Sequence, residues 1–168
     1  MIIKEIKVED IRKYLDKIFD KYNCEKDYSF LGNKIIIEYD AKFRTIEIFE
    51  KNENANKIIK ELQRLGFYPY SIGEPILIID RKYVKPTLPL ARHLKGLCKN
   101  ILIIKEKELA YKLTYGKEVV VREEIPNGFY LAFDSENNFL SYVRVKREKR
   151  YVKIIPELDI GWYLRKGG

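Results

Sequence analysis

Residues 100–121, NILIIKEKELAYKLTYGKEVVV, set the reading of this chain. The apolar run 100–104 reads as a strand, 107–113 as a short helix, and 117–122 as a second strand. Thr114, Tyr115 and Gly116 join the helix to that strand. Downstream, 129–133, 140–145 and 151–155 are further short runs rich in β-branched and aromatic residues, with a turn-rich loop at 134–138. Residues 159–164 read as a closing helix of one or two turns. One strand, a helix and then short strands at regular spacing predict a small barrel rather than a layered α/β fold.

Upstream the pattern changes. Ile11, Leu15, Ile18, Phe19 and Tyr22 recur at three- and four-residue spacing, which predicts an amphipathic helix over 8–22 with Asp10 as its N-cap. Residues 34–39 and 45–49 predict an antiparallel hairpin, 54–65 a helix stopped by Gly66, and 75–80 another strand. Helix, strand, strand, helix, strand describes a small α+β domain with a mainly antiparallel sheet. The stretch 85–96 carries two of the chain's six prolines and a histidine, with Thr87 placed to cap a short helix and Gly96 to close it. The domain boundary is placed after it, giving 1–96 and 97–168.

Length and composition bound the rest. The chain has 168 residues, 46% of them hydrophobic, enough for two small domains with real cores. No window approaches the ~18 apolar residues of a membrane span, and the charged N-terminus lacks a signal peptide's apolar stretch. The expectation is a soluble, cytoplasmic protein. Cys24 and Cys98 are far apart and outside any CxxC spacing, so they read as two buried thiols rather than a disulfide or a metal site. The single histidine, His93, reads as structural. Net charge is +8, with thirteen tyrosines and eight phenylalanines. A basic, aromatic-rich chain suits an anionic partner such as nucleic acid, although general composition explains the charge equally well.

The densest charge feature lies late in the chain. Arg144, Lys146, Arg147, Lys149, Arg150 and Lys153 surround the single acid Glu148, and Tyr142 and Tyr151 flank the run. Cations interleaved with rings are what single-stranded nucleic acid requires. A solvated hairpin tip is the alternative. If 140–145 and 151–155 are neighbouring strands, alternation puts Tyr142, Arg144 and Lys146 on one face with Tyr151 and Lys153, while Val143 and Val145 point inward. A second feature is Tyr115-Gly116-Lys117, where amides around a positive-φ glycine could approach a phosphate; an ordinary helix C-cap is the alternative. There is no GxSxG, P-loop, GxGxxG or HExxH string, and Glu123 and Glu124 point to different faces of a strand. The reading is therefore non-catalytic, without cofactor or metal.

Three strings in order resemble one family: residues 112–119 (KLTYGKEV), 125–133 (IPNGFYLAF) and 159–165 (DIGWYLR). They are similar to the PUA domain of the nuclear-import-protein-seven family of ribosome-biogenesis factors. Residues 69–73 (PYSIG) and 85–91 (KPTLPLA) resemble that family's N-terminal domain. The resemblance implies an α+β chain with an N-terminal α/β domain and a C-terminal PUA-type β pseudobarrel. It implies binding to rRNA or pre-rRNA, with uridine-rich single strands preferred by some members, and a role in large-subunit assembly. It further implies docking of other assembly proteins on the N-terminal domain. The compact chain favours the archaeal branch. Carried onto this sequence, RNA would meet Tyr115, Gly116, Lys117 and the 144–153 cluster. The alternative is an RNA-modification enzyme or its accessory subunit, since PUA domains often accompany such enzymes.

Overall fold

The computed structural model describes residues 2–40, 43–67, 69, 71–81, 83–162 and 165. The chain is α+β and forms two compact units, each built on a five-stranded sheet. The first unit comprises Met1–Ile18 with Lys26–Leu90, and the second Phe19–Glu25 with Ala91–Gly168. The division thus falls at Leu90/Ala91, earlier than the proline-rich stretch suggests, and the second unit recruits seven residues from the N-terminal part of the chain.

In the first unit the sheet runs in simple sequence order, β1 (Ile2–Ile6), β2 (Lys34–Asp40), β3 (Arg44–Glu50), β4 (Glu74–Ile79) and β5 (Val84–Pro86), with every pair antiparallel. The β2–β3 hairpin is as expected from its alternating Ile, Tyr and Phe. Strands β1 and β5 escaped the sequence reading because each is short, charge-studded or proline-bearing, and both lie at sheet edges where such residues are tolerated. Helix α1 (Val8–Lys21) begins before Asp10. Asp10 sits in its first turn, and its carboxylate accepts from the Lys7 backbone N–H at 2.9 Å while its own N–H donates to the Lys7 carbonyl at 3.1 Å. It caps from inside the helix rather than from the N-cap position.

Helix α2 (Ala55–Arg64) ends at Gly66, φ +75°, where the Phe67 N–H donates to the Leu62 carbonyl. Its Ala55 and Ile59 pack with Ile3, Ile35, Ile37 and Tyr39 on one sheet face. Burial of the Tyr39 ring, beside the Glu47 carboxylate, raises that phenol's pKa. Glu47 is itself buried, and its Oε2 accepts from the Ile72 and Gly73 N–H groups at 2.9 Å and the Ser71 hydroxyl at 3.1 Å. This explains the Ser71-Ile72-Gly73 string in physical terms. Three donors surround one buried charge, and a Cβ on Gly73 would lie 2.5 Å from the Ile48 carbonyl. Thr87 lies three residues before helix α3 (Leu90–Leu94). Its buried hydroxyl donates to the Pro75 carbonyl at 2.6 Å, tying the proline-rich stretch to β4.

In the second unit the order is β6-β8-β9-β10-β7: β6 (Ile101–Ile104), β8 (Gly128–Asp134), β9 (Phe139–Arg147), β10 (Val152–Asp159) and β7 (Val119–Val121). Only β6–β8 is parallel. The sheet curls into a half-barrel, and helix α4 (Lys107–Thr114) fills its concave side, with Ala110 and Leu113 packed among Val119, Val143, Val145 and Ile154. Of the closing helix, Trp162 and Arg165 are helical, and 163–164 lie outside the described residues.

Cys24 and Cys98 form a disulfide, correcting the expectation of two separate thiols. Glu25 N–H donates to the Leu97 carbonyl at 2.8 Å and Lys99 N–H to the Asn23 carbonyl at 2.9 Å, so the two segments run antiparallel with the cysteines opposed. A spacing of 74 residues carries no hint of this, because the encounter is made by the returning chain.

Asp159, Gly161 and Arg165 of the DIGWYLR string form a structural lock. Arg165 grips the buried Asp159 carboxylate through two bonds of 2.9 and 2.8 Å, which raises the guanidinium pKa further. Gly161 N–H donates to the Thr114 carbonyl at the end of α4, and a Cβ on Gly161 would stand 2.2 Å from that oxygen. Gly161→Ala is expected to lower stability by about 1–3 kcal/mol, since backbone must shift to admit the methyl. Thermal melts of the two proteins check this; an unchanged Tm would show that the lock is not needed.

Candidate nucleic-acid interface

Alternation along β9, β10 and β7 divides the late cluster between two faces. Val143 and Val145, Val152 and Ile154, and Val119 point to the core, so Arg144, Lys146, Lys153 and Val120 point outward. Register then sets them in rows. Phe129, Arg144 and Ile155 lie side by side across three strands, as do Lys146, Lys153 and Val120 across the next. Glu148 N–H donates to the Tyr151 carbonyl, closing a two-residue turn at Lys149-Arg150. Arg122 follows Val121, the last paired residue of β7, and is exposed. Neighbouring rows are roughly 7 Å apart along a strand, and neighbouring side chains about 5 Å apart across strands.

The outward face is positive and loosely held. Among the described residues Arg144, Lys149 and Arg150 have no ion-pair partner. Lys146 lies 3.5 Å from Glu148 and Lys153 lies 3.6 Å from Glu118. Exposed pairs of that length are worth about 0–1 kcal/mol, so they leave the cations available to a phosphate. Tyr151 stands at the turn, 39% exposed. Arg147 departs from the group. It is on the core-side parity, its N–H donates to Asn127 Oδ1 at 2.6 Å, and its guanidinium lies 3.3 Å from Glu124 at the rim.

Two expectations are corrected. Tyr142 is not a stacking surface, being only 1% exposed, with its ring centroid 5.4 Å from Tyr22 and 5.0 Å from Phe139. Desolvation pushes its phenol pKa upward, with the nearby Tyr22 phenol adding to the rise. Parity gives it the outward side, but residues 19–25 cover that end of β9, a contact made by a segment 120 residues earlier in sequence. Gly116 is at φ +70°, yet the neighbouring amides are not offered to a ligand. Tyr115 and Lys117 N–H donate to the Lys112 carbonyl, and Gly116 N–H donates to the Leu113 carbonyl. The glycine is a helix C-cap, and a Cβ there would meet Arg165 Nη2 at 2.7 Å.

Nor do the two groups share a face. Helix α4 lies on the concave side, so Tyr115 is separated by helix and sheet from Arg144, Lys146 and Lys153. Lys117, exposed, sits in the loop rounding the β7 edge. Tyr115 instead packs against Tyr111, 4.6 Å between centroids with the rings inclined at 42°, the two 43% and 63% exposed. Tyr111 and Arg122 are the exposed residues the sequence reading passed over. The i,i+4 spacing of the tyrosines was visible, but Arg122 acquires meaning only once β7 is known to pair with β10.

No helix among the described residues is long and apolar enough to cross a membrane. Neither a scan against protein-family profiles nor a search of curated proteins finds a match for the chain.

Proposed function

We propose that the chain is a non-catalytic RNA-binding protein of the PUA type, acting in rRNA processing or large-subunit assembly. The observation that carries the reading is the outward basic face, in which Arg144, Lys146 and Lys153 are set by register, with Tyr151, Lys149 and Arg150 at the adjoining turn. A curled half-barrel with a helix on its concave side, and the strings resembling the nuclear-import-protein-seven family, support the same reading. In this mechanism the cations follow the phosphates of an extended strand while Tyr151 stacks on an unpaired base. The Tyr111–Tyr115 pair and Lys117 are then a separate contact, not a continuation of the first.

The test is the salt dependence of binding to a single-stranded, uridine-rich RNA. Four to six neutralised phosphates give a log–log slope of about −3 to −4. Tyr151→Ala should weaken binding about tenfold, within the usual range for one base stack. Tyr142→Phe should leave it within about twofold, because that ring is buried. A flat salt response, or a larger loss at Tyr142 than at Tyr151, would overturn the proposal.

A further inference from the structure

A second, chemically different site lies in the first unit. The pairings Asp40–Arg44, Arg44–Ile79 and Ile79–Val84 place these residues in one row across β2, β3, β4 and β5 at an end of the sheet. Helix α1 adds Tyr14 and Lys17, three residues apart and so on one helical face. Beyond the row stand Phe43, Asp80, Arg81 and Tyr83. Together they line an open pocket of about 460 Å³, within the roughly 300–1,000 Å³ usual for small-molecule sites.

The inner wall is fixed. Arg44 donates to both oxygens of Glu38, at 2.6 and 2.9 Å, and to the Tyr14 hydroxyl at 3.3 Å. That bond and the guanidinium's charge lower the Tyr14 pKa despite partial burial. Three of the five guanidinium N–H groups are thereby engaged, leaving two for a ligand. The outer wall is open. Phe43 and Tyr83 are 45% and 63% exposed, and among the described residues Lys17 and Arg81 have no ion-pair partner.

This mixture narrows the ligand. A bare phosphate would meet Lys17 and Arg81 but leave the Asp40 and Asp80 carboxylates unengaged, and a metal ion would face Lys17, Arg44 and Arg81. An apolar peptide would desolvate Lys17, Asp40, Asp80 and Arg81 and supply no partner to any of them. A ligand carrying a phosphate, a flat ring and an amine donor engages every group. The phosphate meets Lys17 and Arg81, the ring lies against Phe43 or Tyr83, and an exocyclic amine donates to Asp40 or Asp80. We propose that this pocket binds one nucleotide bearing an amino base, that is adenylate, guanylate or cytidylate. The proposal goes beyond the RNA reading of the second unit and does not rest on it, and the nucleotide can come free or as one unit of a strand.

The experiment titrates the full chain with AMP, GMP, CMP and UMP by NMR or calorimetry, with inorganic phosphate as the bare anion. At least one amino nucleotide is expected to bind with Kd between about 10 μM and 1 mM, at least fivefold tighter than UMP or phosphate. Arg81→Ala with Tyr83→Ala, both in an exposed turn, should weaken that binding at least tenfold while circular dichroism stays unchanged. An Arg144→Ala, Lys146→Ala, Lys153→Ala variant should leave it intact, which separates this site from the basic face. Photocrosslinking with a short mixed-sequence oligonucleotide distinguishes the source. Adducts at Phe43 or Tyr83 assign the site to a strand, and adducts confined to the second unit assign it to the free nucleotide. No saturable mononucleotide binding, equal binding of UMP or phosphate, or insensitivity to the Arg81/Tyr83 variant overturns the proposal.

Discussion

Replacing Arg144, Lys146 and Lys153 together with alanine lowers affinity for single-stranded RNA on the order of 100-fold at low salt, about 1 kcal/mol per charge-assisted contact. The log–log salt slope becomes shallower by about 2 units, three contacts at roughly 0.7 each. The fold should survive, because all three side chains lie on the outward face and hold at most long, solvent-exposed ion pairs. The control removes the same charge elsewhere: Lys57→Ala, Lys60→Ala and Arg64→Ala on the exposed side of α2. If the +8 charge acts only as a general attractor, both triple variants lose affinity alike. If the rows set by register carry the binding, the α2 variant stays within about threefold of the parent protein. Equal losses would show that arrangement is irrelevant and would remove the interface as drawn.

The two strand runs at 34–50, the helix at 55–64 and the strand–helix–strand series after residue 100 were legible because each has a local cause: hydrophobic periodicity, a β-branched run or a stopping glycine. The inward direction of Val143 and Val145 followed from alternation alone. What was not legible depends on distant chain. Tyr142 has the parity of a surface residue and is buried only because residues 19–25 pack over it. Val120 joins the row of Lys146 and Lys153 only through the β7–β10 pairing. Asp40, Arg44, Ile79 and Val84, spread over 45 residues, form a row only after four strands are in register. Glycines divide in the same way. Gly66 ends its helix by its own φ, whereas the need for glycine at 161 comes from the Thr114 carbonyl, 47 residues away. Alternation and periodicity specify a face; which faces are covered is decided by topology.

Reduction of Cys24–Cys98 should lower stability by about 4 kcal/mol, the chain-entropy value for a loop closed over 74 residues. For a protein of this size, that corresponds to a Tm lower by on the order of 10 °C. Both cysteines belong to the second unit, but the loop between them contains residues 26–90 of the first. The bond therefore restrains an unfolded second unit by holding together its two otherwise unlinked segments, 19–25 and 91 onward. The native segments are also held by the Glu25–Leu97 and Lys99–Asn23 backbone bonds and by burial of Phe19 and Tyr22, so the reduced protein should still fold. Three melts separate the contributions: oxidised, reduced with excess dithiol, and Cys24→Ser with Cys98→Ser. The reduced and double-serine proteins should agree to within a few degrees, both well below the oxidised form. Whether the bond persists depends on the thiol poise of its surroundings, so alkylation of the protein directly on cell lysis, followed by mass spectrometry, reports which form operates in the cell. If reduction leaves Tm unchanged, the backbone bonds alone define the 19–25 segment, and the disulfide contributes nothing to the covering of β9 that hides Tyr142.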